Sequence, residues 1–190
     1  MLKTQIQYLV WFCALLLILE VLNTLTGRQW LTLGLVPRNS DHLWGIVFSP
    51  FLHHSWSHLT SNLLILIPLL WLTLLLHWQR AVGLVLLWLI LMPGVLVWLF
   101  GRDGLHVGAS GLVYGLLGFL LYSGFTSGKF WRFAIAIGLL LLHAGLFWGL
   151  LPGGHYLMSW EYHLSGFICG LLAGRMMPGT SHQRQYSGKI

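Results

Sequence analysis

A serine flanked by small residues is the first group in this chain that could do chemistry. Ser110 lies in the stretch Gly108-Ala109-Ser110-Gly111, which follows a short polar turn and opens a long apolar run. A serine at the start of an apolar helix is a poor core residue, but it is a good nucleophile when a base elsewhere in the fold activates it. The sequence therefore predicts a nucleophile at Ser110.

His163 is the predicted base, because the four acidic residues are poorly suited to that role. The segments that carry the pair each have a stripe of small residues, namely Gly111, Gly115 and Gly118 in one and Gly166, Gly170 and Gly174 in the other. Such stripes let membrane helices approach closely, which would bring Ser110 Oγ within hydrogen-bonding reach of His163. The alternative is that the glycines only pack the helices and that His163 faces a polar cavity.

Two residues near this pair, Tyr114 and Glu161, have different predicted relations to His163. Tyr114, one turn after Ser110, is placed to pack against the imidazole and orient it. Glu161 is two residues from His163, and positions i and i+2 on a helix do not face each other. The sequence therefore predicts a Ser–His dyad rather than a triad.

Acyl transfer also needs hydrogen-bond donors aimed at the oxyanion. The helix that begins at Ser110 offers the Ala109 and Ser110 N–H groups together with its dipole. His58 and Asn62 have the spacing i, i+4, so they share a helix face, and both side chains can donate hydrogen bonds. We predict an oxyanion site from these groups; the alternative is that Asn62 only bonds a neighbouring helix.

A cluster of histidines favours a second interpretation, a metal site. His54 and His58 form a usable i, i+4 ligand pair, with His53 beside them. Membrane metal hydroxylases and desaturases usually have several such clusters, whereas this chain has one. The expectation is therefore no metal and no cofactor, with a metal-dependent membrane enzyme as the alternative.

Composition places these residues in a membrane. Of the 190 residues 57% are hydrophobic and 7% are charged, whereas soluble domains average about 25% charged residues. The net charge of +6 comes from basic residues scattered singly between apolar segments, so no nucleic-acid partner is expected. Cys13 and Cys169 lie in apolar runs and are interpreted as packing residues.

Six apolar segments predict an all-α membrane protein with one domain over residues 1–190. The predicted helices are Tyr8–Thr26, His58–His77, Ala81–Phe100, Ser110–Phe125, Phe130–Leu150 and Trp160–Met177. The first is expected to be a retained helix, because no small-residue cleavage site follows it. The near absence of charge within the spans, apart from Glu20, disfavours a transporter.

The basic residues predict the orientation of these helices. With a cytoplasmic N-terminus, the inner side holds seven basic residues and the outer side holds three. The inner residues are Lys3, Arg80, Lys129, Arg132, Arg175, Arg184 and Lys189, and the outer residues are Arg28, Arg38 and Arg102. The positive-inside rule therefore places both termini in the cytoplasm and Ser110 towards the outer side.

Two unusual segments meet on that outer side. The connection Gly27–Ser57 is long yet apolar, so we expect it to lie partly in the outer leaflet, with Trp30 and Trp44 as interfacial anchors. The segment Ser110–Phe125 spans only about 24 Å, against a hydrocarbon core of about 30 Å. Its start therefore lies below the outer surface, where irregular backbone must be buried in protein or line a water-filled cavity.

This pattern resembles the rhomboid family of intramembrane serine proteases. The matching residues are Gly108, Ala109, Ser110, Gly111 and Tyr114 in the fourth helix, His163, Gly166 and Gly170 in the sixth, and His53, His58 and Asn62 at the entry to the second. The resemblance covers all six predicted helices. It implies a six-helix bundle with a membrane-embedded first loop that cleaves membrane-anchored proteins at or near a transmembrane segment.

The resemblance also implies roles and a location. Ser110 would be the nucleophile and His163 its general base. The residues implied for the oxyanion and substrate-binding site are His58, Asn62, Gly108 and Ala109, and the implied supporting residues are Tyr114, His53 and Gly166. The implied location is the bacterial plasma membrane, with the active site open to the periplasmic side and transmembrane proteins as substrates.

Two departures from the family pattern concern the first loop and substrate handling. Bacterial rhomboids often carry Trp-Arg in that loop, whereas Trp44 is followed here by Gly45. A glutamate common near the inner end of the second helix is absent, and His77 stands in this stretch. The compact form is similar to the rhombosortase branch, which trims C-terminal sorting tails bearing a Gly-Gly motif.

The rival within this resemblance is a rhomboid-like scaffold that binds transmembrane helices without cutting them. Inactive relatives typically lack the nucleophile or the base, whereas Ser110 and His163 are both present here. The sequence assigns no role to Glu20 and no oligomeric state. It also does not distinguish which of His53 and His54 faces the cavity.

Overall fold

The computed structural model describes residues 2–77, 79–142, 148–152 and 159–176 of the chain. Within these ranges the chain forms six long helices. They are α1 (Leu2–Leu25), α2 (Trp56–Leu76), α3 (Gln79–Phe100), α4 (Ser110–Thr126), α5 (Phe130–Leu142) and α6 (Trp160–Met176). The predicted helical architecture is confirmed, although α1 begins at Leu2 rather than at Tyr8. The predicted residues 143–147 of the fifth segment lie outside the described ranges.

Three helices in the described part of the chain are long and apolar enough to cross a membrane. By length and composition these are Leu2–Leu25, Trp56–Leu76 and Ala81–Phe100. Helix α4 is a shorter apolar helix of 17 residues, so at 1.5 Å per residue it is about 26 Å long. Its length is therefore below the thickness of a typical hydrocarbon core, as the sequence indicates.

Helix α4 is the central helix of the bundle. Eleven of its 17 residues are buried, and it packs against α2, α3, α5 and α6. A helix that is apolar and buried on all sides belongs to the interior of a larger helical assembly. Its most extensive contact is with α6, so the position of α6 depends mainly on the shape of the α4 surface.

Glycines let α6 approach the backbone of α4. A Cβ atom at Gly166 would overlap the Gly111 carbonyl, and a Cβ atom at Gly170 would overlap the Gly115 carbonyl. Since the contacting positions increase together along both helices, α4 and α6 run parallel. The close approach predicted from the glycine stripes is confirmed, and it places the first turns of α4 and α6 side by side.

The connection between α1 and α2 is folded into short helices. Gln29–Leu33, Ser40–His42 and Ser49–Phe51 are 3-10 helices, and Gly45–Phe48 is a single α-helical turn. Paired backbone hydrogen bonds between Leu35 and His106 tie this connection to the one between α3 and α4. A Cβ atom at Gly45 would overlap the Leu35 backbone, which explains why no arginine follows Trp44.

His77 provides a polar contact at the C-terminal end of α2. Its Nε2 atom lies 3.5 Å from Ser123 Oγ of α4, and its ring packs on Phe119 with 4.8 Å between the centroids. The side chain is buried, so an unbonded imidazole would be costly there. This contact links α2 to α4 in the stretch where the family pattern has a glutamate.

The glycine contact between α4 and α6 predicts a position-dependent effect of adding one methyl group. We expect Gly170→Ala to destabilise the protein by about 1–3 kcal/mol, because the two backbones must separate to admit the new Cβ atom. Gly138→Ala is the matched control, since a Cβ atom there meets open space. Denaturant unfolding in detergent would measure both variants; equal stability of the two would contradict the packing described.

Candidate active site

The turn Gly108–Ala109 positions the first residue of α4. Gly108 has a φ of 125°, a conformation that residues with a side chain rarely adopt. Its N–H donates to the Ser49 carbonyl at 2.8 Å, and the Ala109 N–H donates to His53 Nε2 at 3.2 Å. Both acceptors lie in the connection between α1 and α2, so this connection fixes the backbone that leads into Ser110.

His58 of α2 occupies the space that a side chain at position 108 would need. A Cβ atom on Gly108 would lie 2.7 Å from His58 Cε1 and 2.8 Å from Nε2. Helix α2 is capped at this end by Ser55, whose Oγ accepts from the His58 N–H at 3.1 Å. The structure therefore brings the His58 ring against the turn that precedes Ser110.

Asn62 lies one helical turn further along α2 and faces the same turn. A Cβ atom on Gly108 would be 3.6 Å from Asn62 Nδ2. The side chain is 7% exposed, yet its buried Nδ2 atom has no hydrogen-bond partner within the described residues. Buried donors without an acceptor are rare and call for an explanation. Asn62 is thus a free donor beside the start of α4.

His163 is buried in the first turn of α6 and is held in one orientation. Its Nδ1 atom lies 2.8 Å from the Gly149 carbonyl oxygen. Because a carbonyl can only accept, Nδ1 must carry the proton, and the neutral ring then has its lone pair on Nε2. The Tyr114 ring stacks on the imidazole, with 4.4 Å between the centroids and 17° between the planes. The ring is therefore prepared to accept a proton at Nε2.

Ser110 and His163 lie at the same end of two helices in backbone contact. Tyr114, one turn after Ser110, stacks on His163, so the imidazole lies on the Ser110 side of α4. Ser110 is partly exposed, whereas the preceding Ala109 is fully buried. The structure records no hydrogen bond between Ser110 Oγ and the imidazole. Catalytic hydrogen bonds are often long in a free enzyme and shorten when substrate binds.

Two backbone N–H groups expected at the oxyanion and substrate-binding site are already engaged, and the first is that of Gly108, which donates to the Ser49 carbonyl. The Ala109 N–H, assigned to the oxyanion site from the sequence, donates to His53 Nε2 instead. His53 is fully buried and holds the turn, whereas His54 borders a cavity whose lining includes neither Ser110 nor His163. The donors that remain near Ser110 are its own N–H, Asn62 and His58.

Burial keeps His53 neutral. Burial first, and then the neighbouring His58 and His54, lower the pKa of His53 to about 3. A lowered pKa means that the ring takes up a proton only when the pH falls towards that value. The neutral ring is required here, since a protonated Nε2 would be a second donor facing the Ala109 N–H.

A cavity of about 240 Å³ opens beside these residues. Its lining includes His54, Arg102, His106 and Ser159, and His54 stacks on His58 at 6.1 Å between centroids. Arg102 Nε lies 3.0 Å from Glu161 Oε1, so Glu161 serves an ion pair and not His163. A larger apolar cavity of about 610 Å³ lies between α1, α2 and α3 and contains none of the predicted site residues.

The histidine cluster does not converge as metal ligands do. Within the described ranges no three His, Cys, Asp or Glu side chains are grouped in a way that could hold a metal ion. The His53 and His58 rings meet edge to face, with 5.1 Å between the centroids. Their contacts are instead to the turn before Ser110.

Several residues of the site have no signal in the sequence. Gly149 contributes a backbone carbonyl, and Ser49 contributes a carbonyl and a hydroxyl, the latter 2.8 Å from Tyr162 Oη. A main-chain group can be supplied by any residue type, so composition and spacing do not reveal it. Tyr162 was detectable only as the neighbour of His163.

An all-helical membrane protein in which two parallel helices touch through glycines is the class that this fold defines. The rhomboid domain family matches residues 40–179, and the chain belongs to the rhomboid family. Uncharacterized proteins of Mycobacterium bovis and Mycobacterium tuberculosis are 35% identical over 178 residues, which cover 87% of this chain and 72% of each relative. An uncharacterized protein of Mycobacterium leprae is 33% identical, with 87% of this chain and 68% of the relative covered.

The space at Gly108 predicts a severe effect of a single methyl group. We expect Gly108→Ala to lower the rate at which a fluorophosphonate probe labels Ser110 by about 100-fold, because His58 and the turn must move apart. Gly128→Ala is the control for backbone strain alone, since Gly128 has a φ of 67° but open space around its Cβ position. A similar loss in both variants would show that the His58 contact is unimportant.

The low pKa of His53 predicts a pH profile. His53→Gln keeps an acceptor for the Ala109 N–H but removes the titrating group. Since His53 is neutral across the range of about pH 5–8 in which an unperturbed histidine titrates, this variant should keep the wild-type midpoint of the acid limb even if its rate falls. Labelling rates measured across that range would test this, and a displaced midpoint would contradict it.

Proposed function

We propose that this protein is an intramembrane serine protease that hydrolyses a peptide bond in or near a transmembrane segment of a membrane-anchored protein. Rhomboid family membrane proteins act on membrane protein substrates within the bilayer, which supports this substrate class. The observation that carries the proposal is the buried Asn62 amide, a donor without an acceptor beside the turn that leads into Ser110. A developing oxyanion at Ser110 is the acceptor that it lacks.

In the first step Ser110 Oγ attacks the substrate carbonyl carbon while His163 Nε2 takes the hydroxyl proton. The hydrogen bond from Nδ1 to the Gly149 carbonyl keeps the lone pair on Nε2 before the step. The same carbonyl then accepts from the imidazolium. Tyr114 keeps the ring plane fixed by stacking, so the proton moves between groups that are already oriented.

The tetrahedral intermediate places a negative charge on the former carbonyl oxygen. Asn62 Nδ2, the His58 ring and the Ser110 N–H at the helix N-terminus are the donors for this charge, aided by the α4 dipole. His163 then returns its proton to the departing amine, which leaves an acyl-enzyme on Ser110. A water molecule, activated by the same Nε2, hydrolyses the ester and regenerates the serine.

Water and substrate are proposed to enter from the outer side. The cavity bordered by His54 and Arg102 gives a polar approach that is connected to His58 by ring stacking. The excess of basic residues on the opposite side supports cytoplasmic termini, with the plasma membrane as the location. Trp44 and Phe48 are exposed in the first connection, which supports its contact with the outer leaflet.

The proposal predicts how a fluorophosphonate probe labels the purified protein. Wild type should be labelled, and Ser110→Ala and His163→Ala should not be, since one variant lacks the nucleophile and the other lacks its base. Asn62→Ala should be labelled about 100-fold to 1,000-fold more slowly, the usual effect of removing one oxyanion donor.

Ser61→Ala is the matched control for Asn62→Ala. Ser61 is the preceding residue of α2, is exposed, and bonds only the carbonyl of its own helix at His58. The probe should label Ser110 in the Ser61→Ala variant at the wild-type rate. Folded wild-type protein without labelling, or undiminished labelling of Ser110→Ala, would refute the proposed chemistry and favour the inactive scaffold.

A further inference from the structure

A buried carboxylate in α1 lies far along the chain from the proposed nucleophile. Glu20 is 1% exposed, and its Oε1 atom lies 3.0 Å from Arg28 Nη2. A buried carboxylate needs a paired charge, and removal of that partner is strongly destabilising. The dyad chemistry does not use this pair, so its presence in the outer half of the protein needs a separate explanation.

Arg28 is held so that its guanidinium faces the protein. The residue adopts a left-handed conformation with a φ of 62°, and its N–H donates to the Asn23 carbonyl at 2.6 Å. While Nη2 binds Glu20, Nη1 donates to the His53 carbonyl at 3.0 Å. The two ends of one planar guanidinium therefore bind the Glu20 carboxylate of α1 and the His53 carbonyl in the connection between α1 and α2.

His53 transmits this contact to the turn before α4. Its backbone carbonyl accepts from Arg28, and its ring accepts the Ala109 N–H at 3.2 Å. The continuous path runs from Glu20 through Arg28 and His53 to Ala109, and ends at the residue before Ser110. None of these side chains reaches the reacting atoms. They can therefore affect Ser110 only by fixing the position of the backbone turn that precedes it.

We propose that Glu20 and Arg28 are positioning residues, which hold the turn before Ser110 in its active geometry through His53. The inference rests on the proposed function, because it concerns the geometry of the same nucleophile. It assigns a role to Glu20 that differs from helix packing. Loss of the ion pair removes the shorter of two hydrogen bonds to the His53 carbonyl and leaves only the longer one from Asn23 Nδ2 at 3.4 Å. The His53 ring, the acceptor of the Ala109 N–H, is then held less firmly.

Three substitutions test this path, and all keep side chains of similar size. Glu20→Gln and Arg28→Gln each remove one charge of the pair. Arg28→Lys keeps the charge, but a single ammonium lacks the planar fork that reaches both partners. We expect each to lower the labelling rate at Ser110 by about tenfold to 100-fold in protein that remains folded, the effect of a small misplacement.

Arg38 provides a control with the same backbone conformation and the same kinds of partner, in an ion pair that is more exposed than that of Arg28. It also has a left-handed backbone, with a φ of 59°, and its guanidinium also binds a carbonyl and a carboxylate, those of Gly101 and Asp103. These partners do not lead to His53 or Ala109. Arg38→Gln should therefore be labelled at the wild-type rate, and an equal loss in Arg28→Gln and Arg38→Gln would overturn the proposal.

A double-mutant cycle separates positioning from general stability. If Arg28 acts through His53, then adding Arg28→Gln to the His53→Ala variant should not lower the labelling rate any further. Independent losses that multiply would mean that Arg28 only stabilises the fold, and the proposal would fail. The rates are compared at equal folded fraction, measured by thermal unfolding of each variant.

The amide signal of Ala109 tests the path without any activity. In protein labelled with 15N-alanine, Arg28→Gln should shift the Ala109 amide resonance and speed its hydrogen exchange, and Arg38→Gln should do neither. If wild type is folded but unlabelled by the probe, the proposed function fails and this signal still decides the inference. An Ala109 amide that is unchanged in Arg28→Gln would overturn it.

Discussion

The geometry around Ser110 depends on one requirement of the bilayer: irregular backbone at membrane depth must find its hydrogen-bond partners inside the protein. The Gly108 and Ala109 N–H groups precede α4 and have no partner within that helix. Their acceptors are the Ser49 carbonyl and the His53 ring. The fold of the first connection therefore fixes the position of Ser110, the proposed nucleophile, and neither can change without the other.

The same low-polarity setting explains the use of a carbonyl to orient His163. Each buried carboxylate near the site is paired with an arginine, Glu20 with Arg28 and Glu161 with Arg102, because an unpaired buried charge is costly. The Gly149 carbonyl fixes the tautomer without adding a charge. In the proposed mechanism it would stabilise the imidazolium less than a carboxylate would, so more of the stabilisation would come from the donors around the oxyanion.

The side-chain parts of this arrangement could be predicted from the sequence. Glycine spacing indicated the contact of α4 with α6, and the i, i+4 spacing of His58 and Asn62 indicated their common face, because helical periodicity relates spacing to direction. The role of Gly149 and the engagement of Ala109 could not be predicted. Both are main-chain contacts between distant segments, and such contacts depend on tertiary packing rather than on residue type.

The engagement of Ala109 limits the donors that are left for the proposed oxyanion site. With that N–H bound to His53, two of the remaining donors, His58 and Asn62, belong to α2 and not to the helix of the nucleophile. Helix α6 is kept in register with α4 by direct backbone contact at glycines, whereas α2 meets the turn before α4 through the side chains of His58 and Asn62. Its register is set where the His58 ring fills the space beside Gly108. The missing side chain at position 108 thus serves two purposes, since it permits the backbone turn and admits the His58 ring, which brings the proposed donors of α2 close to Ser110.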